Sequence, residues 1–185
     1  MSIVKIPIMQ KIYFTEEQHF SNFWFWVFLV VVFTAFLTPT VVALYSQLVL
    51  GTPEGENPES IESILIIFGI LIVVYAAAIV LFKTMKLVVV VRQNGVFYRY
   101  PPFIIKERKF LREEIERFEI RKYKPIKEYR GWGIKTSLGK SDRAFSVKGY
   151  MGLQLYLKDG KYVLFGTQRG EACKRAMSKM MQKPG

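Results

Sequence analysis

The sequence predicts an α+β protein. A hairpin of two apolar helices precedes a curved antiparallel β-sheet or barrel of about seven strands, which is capped by one C-terminal helix. No Asp, Glu, Lys or Arg occurs in residues 20–53 or 63–82. Residues 83–185, in contrast, hold 25 of the 27 basic and nine of the 15 acidic residues, a net charge of +16. In this basic part, short β-branched and aromatic runs alternate with turn residues until a helical pattern begins near residue 170.

The two uncharged stretches have the length of membrane-spanning helices. About 20 apolar residues are needed to cross the hydrocarbon core of a bilayer, which is ~30 Å thick. We therefore predict a first span at about 23–50, an acidic loop at 51–63 and a second span at 64–82. Pro39 lies in the first span, where it either kinks the helix or ends its regular part.

The charges that flank these spans predict their orientation. The loop at 51–63 carries no base but four acids, Glu54, Glu56, Glu59 and Glu62. Lys83 and Lys86 directly follow the second span, and basic residues resist translocation. We therefore expect a multi-pass protein of the cytoplasmic (inner) membrane with both termini in the cytoplasm. Residues 1–22 would form a cytoplasmic segment and residues 83–185 a cytoplasmic domain.

The domain is predicted from alternating apolar positions and turn signals. Asn94-Gly95 and Asp159-Gly160 are typical of tight hairpin turns. Residues 170–182 have the 3.6-residue periodicity of an amphipathic helix, whose Met-rich face either plugs the open end of the sheet or binds a partner. The expected strands are 86–92, 96–100, 104–110, 115–123, 153–157 and 162–165.

Several segments of the domain resemble those of bacterial pleckstrin-homology-like membrane proteins. They are Tyr129–Lys135, Phe145–Gly149, Gly152–Leu155, Asp159–Lys161 and Phe165–Arg169. The resemblance covers about residues 20–182 and extends to the layout, a short transmembrane hairpin joined to a single such domain. It implies a pleckstrin-homology-like fold and a protein that is not an enzyme. Arg130 departs from the pattern, which has glycine there.

The residue inventory also argues against an enzyme. Cys173 and His19 are the only residues of their types, which excludes a Cys-based metal site and most His-based chemistry. No phosphate-binding GxxxxGK[ST] loop, HExxH motif or CxxC pair occurs. The acids Glu113, Glu114 and Glu116 lie beside Arg112 and Arg117 and are typical of a solvated surface. We expect no catalytic residue, metal or cofactor.

The basic domain has three interpretations. Attraction to anionic headgroups, about 1 kcal/mol per Lys or Arg near the surface, is the first. A specific phosphoinositide pocket is not supported, because the first hairpin turn is only Gln93-Asn94-Gly95. Nucleic acid is not expected as a partner either, because no recognition helix or aromatic stacking motif accompanies the charge.

The sequence therefore favours a non-enzymatic membrane protein whose domain is an interaction or scaffold module, with a protein partner or a second copy of the chain. Four residues are candidates for such contacts, although Trp132 also fits a packing role: Arg130, Trp132, Gln168 and Arg169. The alternative is an accessory subunit of a membrane complex, because Gly69 and Ala76–Ala78 permit close helix packing. A lipid-processing enzyme is a third class, but the sequence has no visible active site for it.

Overall fold

The computed structural model describes residues 11–20, 23–52, 59–136 and 142–182. The chain forms two compact units. One combines the residues up to Phe20 with those from Thr84 onward, and the other is Ser21–Lys83. The first unit contains two β-sheets and the second contains two apolar helices, which confirms the α+β class.

The helical unit consists of α1, Phe23–Tyr45, which continues as a π-helical turn over Ser46–Leu50, and α2, Ile61–Thr84. These segments of 28 and 24 residues are about 42 and 36 Å long at 1.5 Å per residue. Pro39 lies inside α1 and does not end it. Both helices are therefore long and apolar enough to cross a membrane.

The helices bury almost none of their own apolar side chains. Within the described residues, α1 has no buried residue and α2 has only Ile64. Stacking of Phe33 on Tyr75, with ring centroids 3.8 Å apart, joins the two helices. Because a water-soluble helix normally hides its apolar face, this exposure is typical of helices with an apolar surrounding.

The first sheet of the domain is antiparallel with the order β1-β2-β3-β4. Its strands are Ile12–His19, Lys86–Arg92, Gly95–Tyr100 and Ile104–Leu111. β1 belongs to the domain, whereas the sequence-based division of the chain had placed residues 1–22 in a separate segment. Its inward face alternates with an exposed face as in any half-buried strand, but two of the three inward residues are polar, namely Glu16 and Gln18 beside Phe14.

The second sheet has the order β5-β8-β9-β7-β6, and only the β7–β9 pair is parallel. Its strands in chain order are Ile115–Lys122, Gly133–Thr136, Arg143–Ser146, Met151–Leu157 and Tyr162–Gly166. The described residues thus form nine strands in two sheets without a closed barrel, where about seven were expected. A short helix, α3 over Pro125–Tyr129, was also not predicted. Proline in its first turn and the Glu128 carboxylate, which accepts the Lys124 N–H at 2.7 Å, account for it.

Both predicted hairpins are confirmed, but the first turn lies one residue before Asn94-Gly95. β2 pairs with β3 up to Arg92 and Gly95, so Gln93 and Asn94 make the turn. Gly95 is the first residue of β3, and glycine is required there because a Cβ would collide with the carbonyl oxygen of Phe110. The second turn, between β8 and β9, places Gly160 at φ +80°, a conformation that favours glycine.

The C-terminal helix α4, Gly170–Met181, closes the domain. Its buried face packs against β1, β2, β5 and β8 and consists of Cys173, Ala176, Met177 and Met180. The Met-rich stripe is therefore part of the core, as the first of its two interpretations held. Phe145 and Phe165 stack at the centre of the domain with ring centroids 5.4 Å apart.

Candidate functional site

Two of the residues predicted from the sequence, Arg130 and Trp132, lie between α3 and β6. The Trp132 Nε1–H donates to the Gly149 carbonyl oxygen at 3.2 Å, and its ring meets Tyr150 edge to face. Arg130 ends α3 with an exposed side chain and a left-handed backbone, φ +58°. This conformation accounts for the glycine that the resemblance led us to expect at this position.

The other two predicted residues, Gln168 and Arg169, lie between β9 and α4. The Gln168 backbone N–H donates to Glu16 Oε1 at 2.7 Å, so this contact belongs to the domain itself. The Arg169 guanidinium lies over the Phe14 ring, 5.4 Å from its centroid, and Nη1 donates to the Thr15 carbonyl oxygen at 3.5 Å. Arg169 therefore lies beside β1, whereas Trp132 contacts the loop before β8.

A buried polar cluster, which sequence reasoning missed, attaches β1 to the start of α4. The Thr167 hydroxyl donates to Glu16 Oε2 at 2.6 Å, and the Gln18 side-chain amide donates to the Gly166 carbonyl oxygen at 2.7 Å. Glu16 is 6% exposed and Gln18 is 2% exposed. In the sequence, only their alternate spacing after Phe14 indicates that Glu16 and Gln18 face inward. Because both residues are polar, this spacing was not interpreted as the inward face of a strand.

Cys173 lies on the buried face of α4. Burial, and secondarily the Glu16 carboxylate, raises the pKa of its thiol to about 12. Because the thiolate is the reactive form, this cysteine is unsuited to nucleophilic chemistry or metal binding at neutral pH. Within the described ranges, no three His, Cys, Asp or Glu side chains come together as metal ligands.

A groove of about 520 Å³ runs between β1 and α4. Four cations surround it: Lys11, Arg169, Arg175 and Lys179. No carboxylate lines it, and none of the four cations forms an ion pair within the described part of the chain. The remaining lining is Ile12, Tyr13, Phe14, Thr15, Ala172 and Ala176. This combination of cations with an apolar floor suits an anionic ligand that also has apolar groups.

A second basic depression, between β3 and β4, differs in charge balance. Arg108, Lys109 and Arg143 line it together with Glu107. That carboxylate receives two hydrogen bonds of 2.8 Å from the Arg92 guanidinium. Arg92 itself does not line this depression. The groove between β1 and α4 has four cations and no carboxylate, against three cations and one carboxylate here, and is therefore the stronger candidate for binding an anion.

No family model, curated protein or solved structure matches this chain. The resemblance to bacterial pleckstrin-homology-like membrane proteins therefore stays a prediction from the sequence. The function is inferred from the geometry of the domain and of the helices.

Proposed function

We propose that this chain is a non-enzymatic integral membrane protein that presents a basic, pleckstrin-homology-like domain at the cytoplasmic face of the membrane as an interaction module. The observation that carries the proposal is the insertion of two exposed apolar helices between neighbouring strands of one domain. β1 ends at His19 and α1 begins at Phe23, while α2 ends at Thr84 and β2 begins at Lys86. With links this short, a membrane that takes up the helices keeps the domain at its surface.

The residues best suited to catalysis support a non-enzymatic role. Cys173 is buried and held in the thiol form, as described above. The exposed His19 Nε2 lies 3.0 Å from Glu17 Oε1, which also accepts from Lys86 Nζ at 2.8 Å. This arrangement is a surface charge cluster at the end of β1 and has no adjacent nucleophile among the residues described.

The orientation is testable by labelling single cysteines in intact cells, in a Cys173→Ser background. Glu59→Cys lies in the connector before α2, and Lys158→Cys lies in the exposed turn between β8 and β9. We expect an impermeant maleimide to label position 59 from outside and position 158 only after the membrane is opened. The reverse pattern would show that the domain lies outside the cytoplasm.

The second candidate function is that of an accessory subunit held in a complex by its helices. A groove of about 470 Å³ between α1 and α2 favours it, since its lining is apolar and rich in aromatic rings, including Phe25, Phe28, Phe33 and Tyr75. Such a groove offers a neighbouring helix a large contact surface. Ala78 also lines this groove, and Gly69, Ala76 and Ala77 would permit close approach elsewhere on α2.

A helix exchange separates the two functions. Residues 21–84 are replaced by an unrelated pair of membrane-spanning helices, and both proteins are isolated in mild detergent. We expect the exchanged chain to retain the partners of the native chain, because the domain supplies the recognition. Partners that are lost on exchange, while the domain remains folded, would identify the accessory-subunit function instead.

A further inference from the structure

We infer that the groove between β1 and α4 binds an extended acidic peptide segment of a partner protein, which adds as a strand to the free edge of β1. The inference rests on the proposed function and names its recognition site and the chemistry of the partner. Three features carry it: an unpaired strand edge, a row of cations along the facing helix, and matching spacings.

The free edge follows from the hydrogen bonds of β1. The Phe20 N–H donates to the Met85 carbonyl oxygen at 3.3 Å, so the backbone of Phe20 faces β2. In an antiparallel ladder the residues that face one neighbour alternate with those that face away. Thr15, Glu17 and His19 therefore direct their N–H and C=O groups away from β2. Within the described residues β1 is an edge strand, with β2 as its one paired neighbour.

The helix beside this edge presents the cations. Ala172, Ala176 and Lys179 follow one another at three- or four-residue intervals along one stripe of α4, with Arg175 adjacent and Arg169 directly before the helix. The Arg169 guanidinium already donates to the outward-facing Thr15 carbonyl oxygen at 3.5 Å. This contact shows that an N–H donor can reach the edge of β1 from the side of α4. The backbone N–H groups of an added strand would reach the same edge from within the plane of the sheet.

The spacings of helix and strand match. Arg175 and Lys179 are four residues apart, about 6 Å along the axis of α4. Side chains on one face of a strand repeat about every 6.6 Å, twice the rise per residue. Acidic residues at positions i and i+2 of an added strand would each meet one cation, whereas the residues between them face away. The preferred ligand is thus an extended segment with acids at alternate positions.

Defined peptides test the inference on the full-length protein in nanodiscs of phosphatidylcholine. The probes are fluorescein-labelled TEVETEVT and its lysine counterpart TKVKTKVT, measured by fluorescence anisotropy. The tested variant is Arg175→Glu with Lys179→Glu. Its matched control, Lys106→Glu with Lys158→Glu, changes the net charge equally at exposed positions of β4 and of the turn between β8 and β9.

We expect the acidic peptide to bind and the lysine peptide not to bind. The Arg175/Lys179 reversal should weaken binding at least about tenfold, whereas the control stays within about twofold. N-methylation of one alternate set of peptide amides should abolish binding, while methylation of the other set spares it, because only one set faces β1. Equal losses in both variants, or no effect of either methylation, would overturn the inference.

Lipid competition and partner capture complete the test. If phosphatidylglycerol in the nanodiscs abolishes peptide binding, the groove is a headgroup site and the inference is wrong. In another outcome, the native chain captures partners through its domain while the Arg175/Lys179 reversal leaves capture unchanged. That result would contradict the groove as the binding site but would leave the proposed interaction module intact. A chain that captures partners only through its helices contradicts the proposed function itself.

Discussion

The run Leu-Val-Val-Val occurs twice in this chain, once in a region where its side chains are exposed and once in a region where they are buried. In α1 it is residues 29–32, and Val30, Val31 and Val32 are 51%, 59% and 37% exposed. In β2 it is residues 87–90, and Leu87, Val88 and Val89 are 0%, 5% and 3% exposed. The two regions hold the same side chains, but only the domain supplies the apolar surroundings from its own residues.

The difference indicates what each region needs in order to be stable. Removing a Val or Leu side chain from water is worth about 1.5–3 kcal/mol, and the domain gains this through its own core. The helices leave such side chains exposed along their full length, so their stabilisation must come from outside the chain. A bilayer would provide it, and the charged residues near the helix ends, Glu62 and Lys83, fit the limits of such a span.

The largest expected effect comes from removing β1. Deletion of residues 1–20 leaves β2 paired with β3 alone and removes Glu16 and Gln18 from the buried cluster. We expect the domain to lose most of a stability that is typically about 5–15 kcal/mol, and with it cooperative unfolding in urea. The measurement is tryptophan fluorescence during urea titration of the protein in detergent.

A matched chain sharpens this prediction. Replacing residues 21–84 by a two-residue turn joins Phe20 to Met85, whose backbones already share a hydrogen bond. This chain keeps β1 and should unfold cooperatively without detergent. Cooperative unfolding of the 1–20 deletion, at the midpoint of the native chain, would show that β1 is not needed for the domain.

The next effect compares two adjacent glutamates on opposite faces of β1. Glu16→Ala leaves the buried Thr167 hydroxyl and the part-buried Gln168 N–H without their acceptor, and we expect a loss of about 2–4 kcal/mol. Glu17→Ala removes an exposed ion pair with Lys86 and should cost about 1 kcal/mol or less. The measurement is the free energy of unfolding in urea. Equal losses would contradict the assignment of Glu16 to a structural cluster.

Alkaline pH should weaken the domain through Tyr100. Its side chain is 0% exposed, and burial raises the pKa of its hydroxyl from 10.0 to about 12. The folded state thus favours the neutral phenol. The stability that this preference supplies is complete below pH 10 and is lost as the pH rises towards 12, on the order of 2–3 kcal/mol.

The Tyr100→Phe variant isolates that contribution. The variant loses the hydrogen bond from the hydroxyl to the Ser146 carbonyl oxygen, 3.2 Å, at a cost of about 1 kcal/mol at neutral pH. Both proteins are compared in a Cys173→Ser background, because the raised pKa of that thiol acts in the same direction. The difference in unfolding free energy should shrink or reverse above pH 10. A difference independent of pH would contradict the prediction.

The smallest effect is a gain in stability. Arg130 is the described non-glycine residue with a positive φ, and this conformation costs an L-residue about 1 kcal/mol. Arg130→Gly should therefore stabilise the domain by about 0.5–1 kcal/mol, measured by urea unfolding. Arg130→Ala keeps the conformational cost and should give no gain. Similar results for both variants would show that the left-handed backbone does not limit stability here.

Much of the domain could be predicted because its strands carry their own local signals. β2 was predicted with both of its observed ends, and the ends of β5, β9 and α4 differ by one residue. These elements combine periodic apolar residues with Asn-Gly, Asp-Gly or proline boundaries. The short strands β6 and β7 have four residues each, too few for a periodic pattern. β1 was missed because polar residues occupy its inward face.

The candidate groove could not be predicted, because it is formed by residues that are distant in sequence. Thr15 and Arg169 are separated by 154 positions, and their contact depends on the pairing of β1 with β2, which lie on either side of the helical unit in the sequence. Arg169 was singled out from the sequence as a candidate contact residue, but the strand beside which it lies was not predicted. The alignment of Lys11 with Lys179 along one groove results from tertiary packing and has no local signal.

The most direct test of the account is membrane integration of the native chain and two variants, measured by resistance to alkaline carbonate extraction. We predict that the native chain stays in the membrane fraction. Val31→Asp with Val73→Asp places two carboxylates on exposed helix positions and should release the protein or prevent its insertion, at about 2.5–3.5 kcal/mol per residue. Ile105→Asp, on an exposed position of β4, should change nothing. Release of the native chain by carbonate, or unchanged behaviour of the double Asp variant, would contradict the placement of these helices in a bilayer.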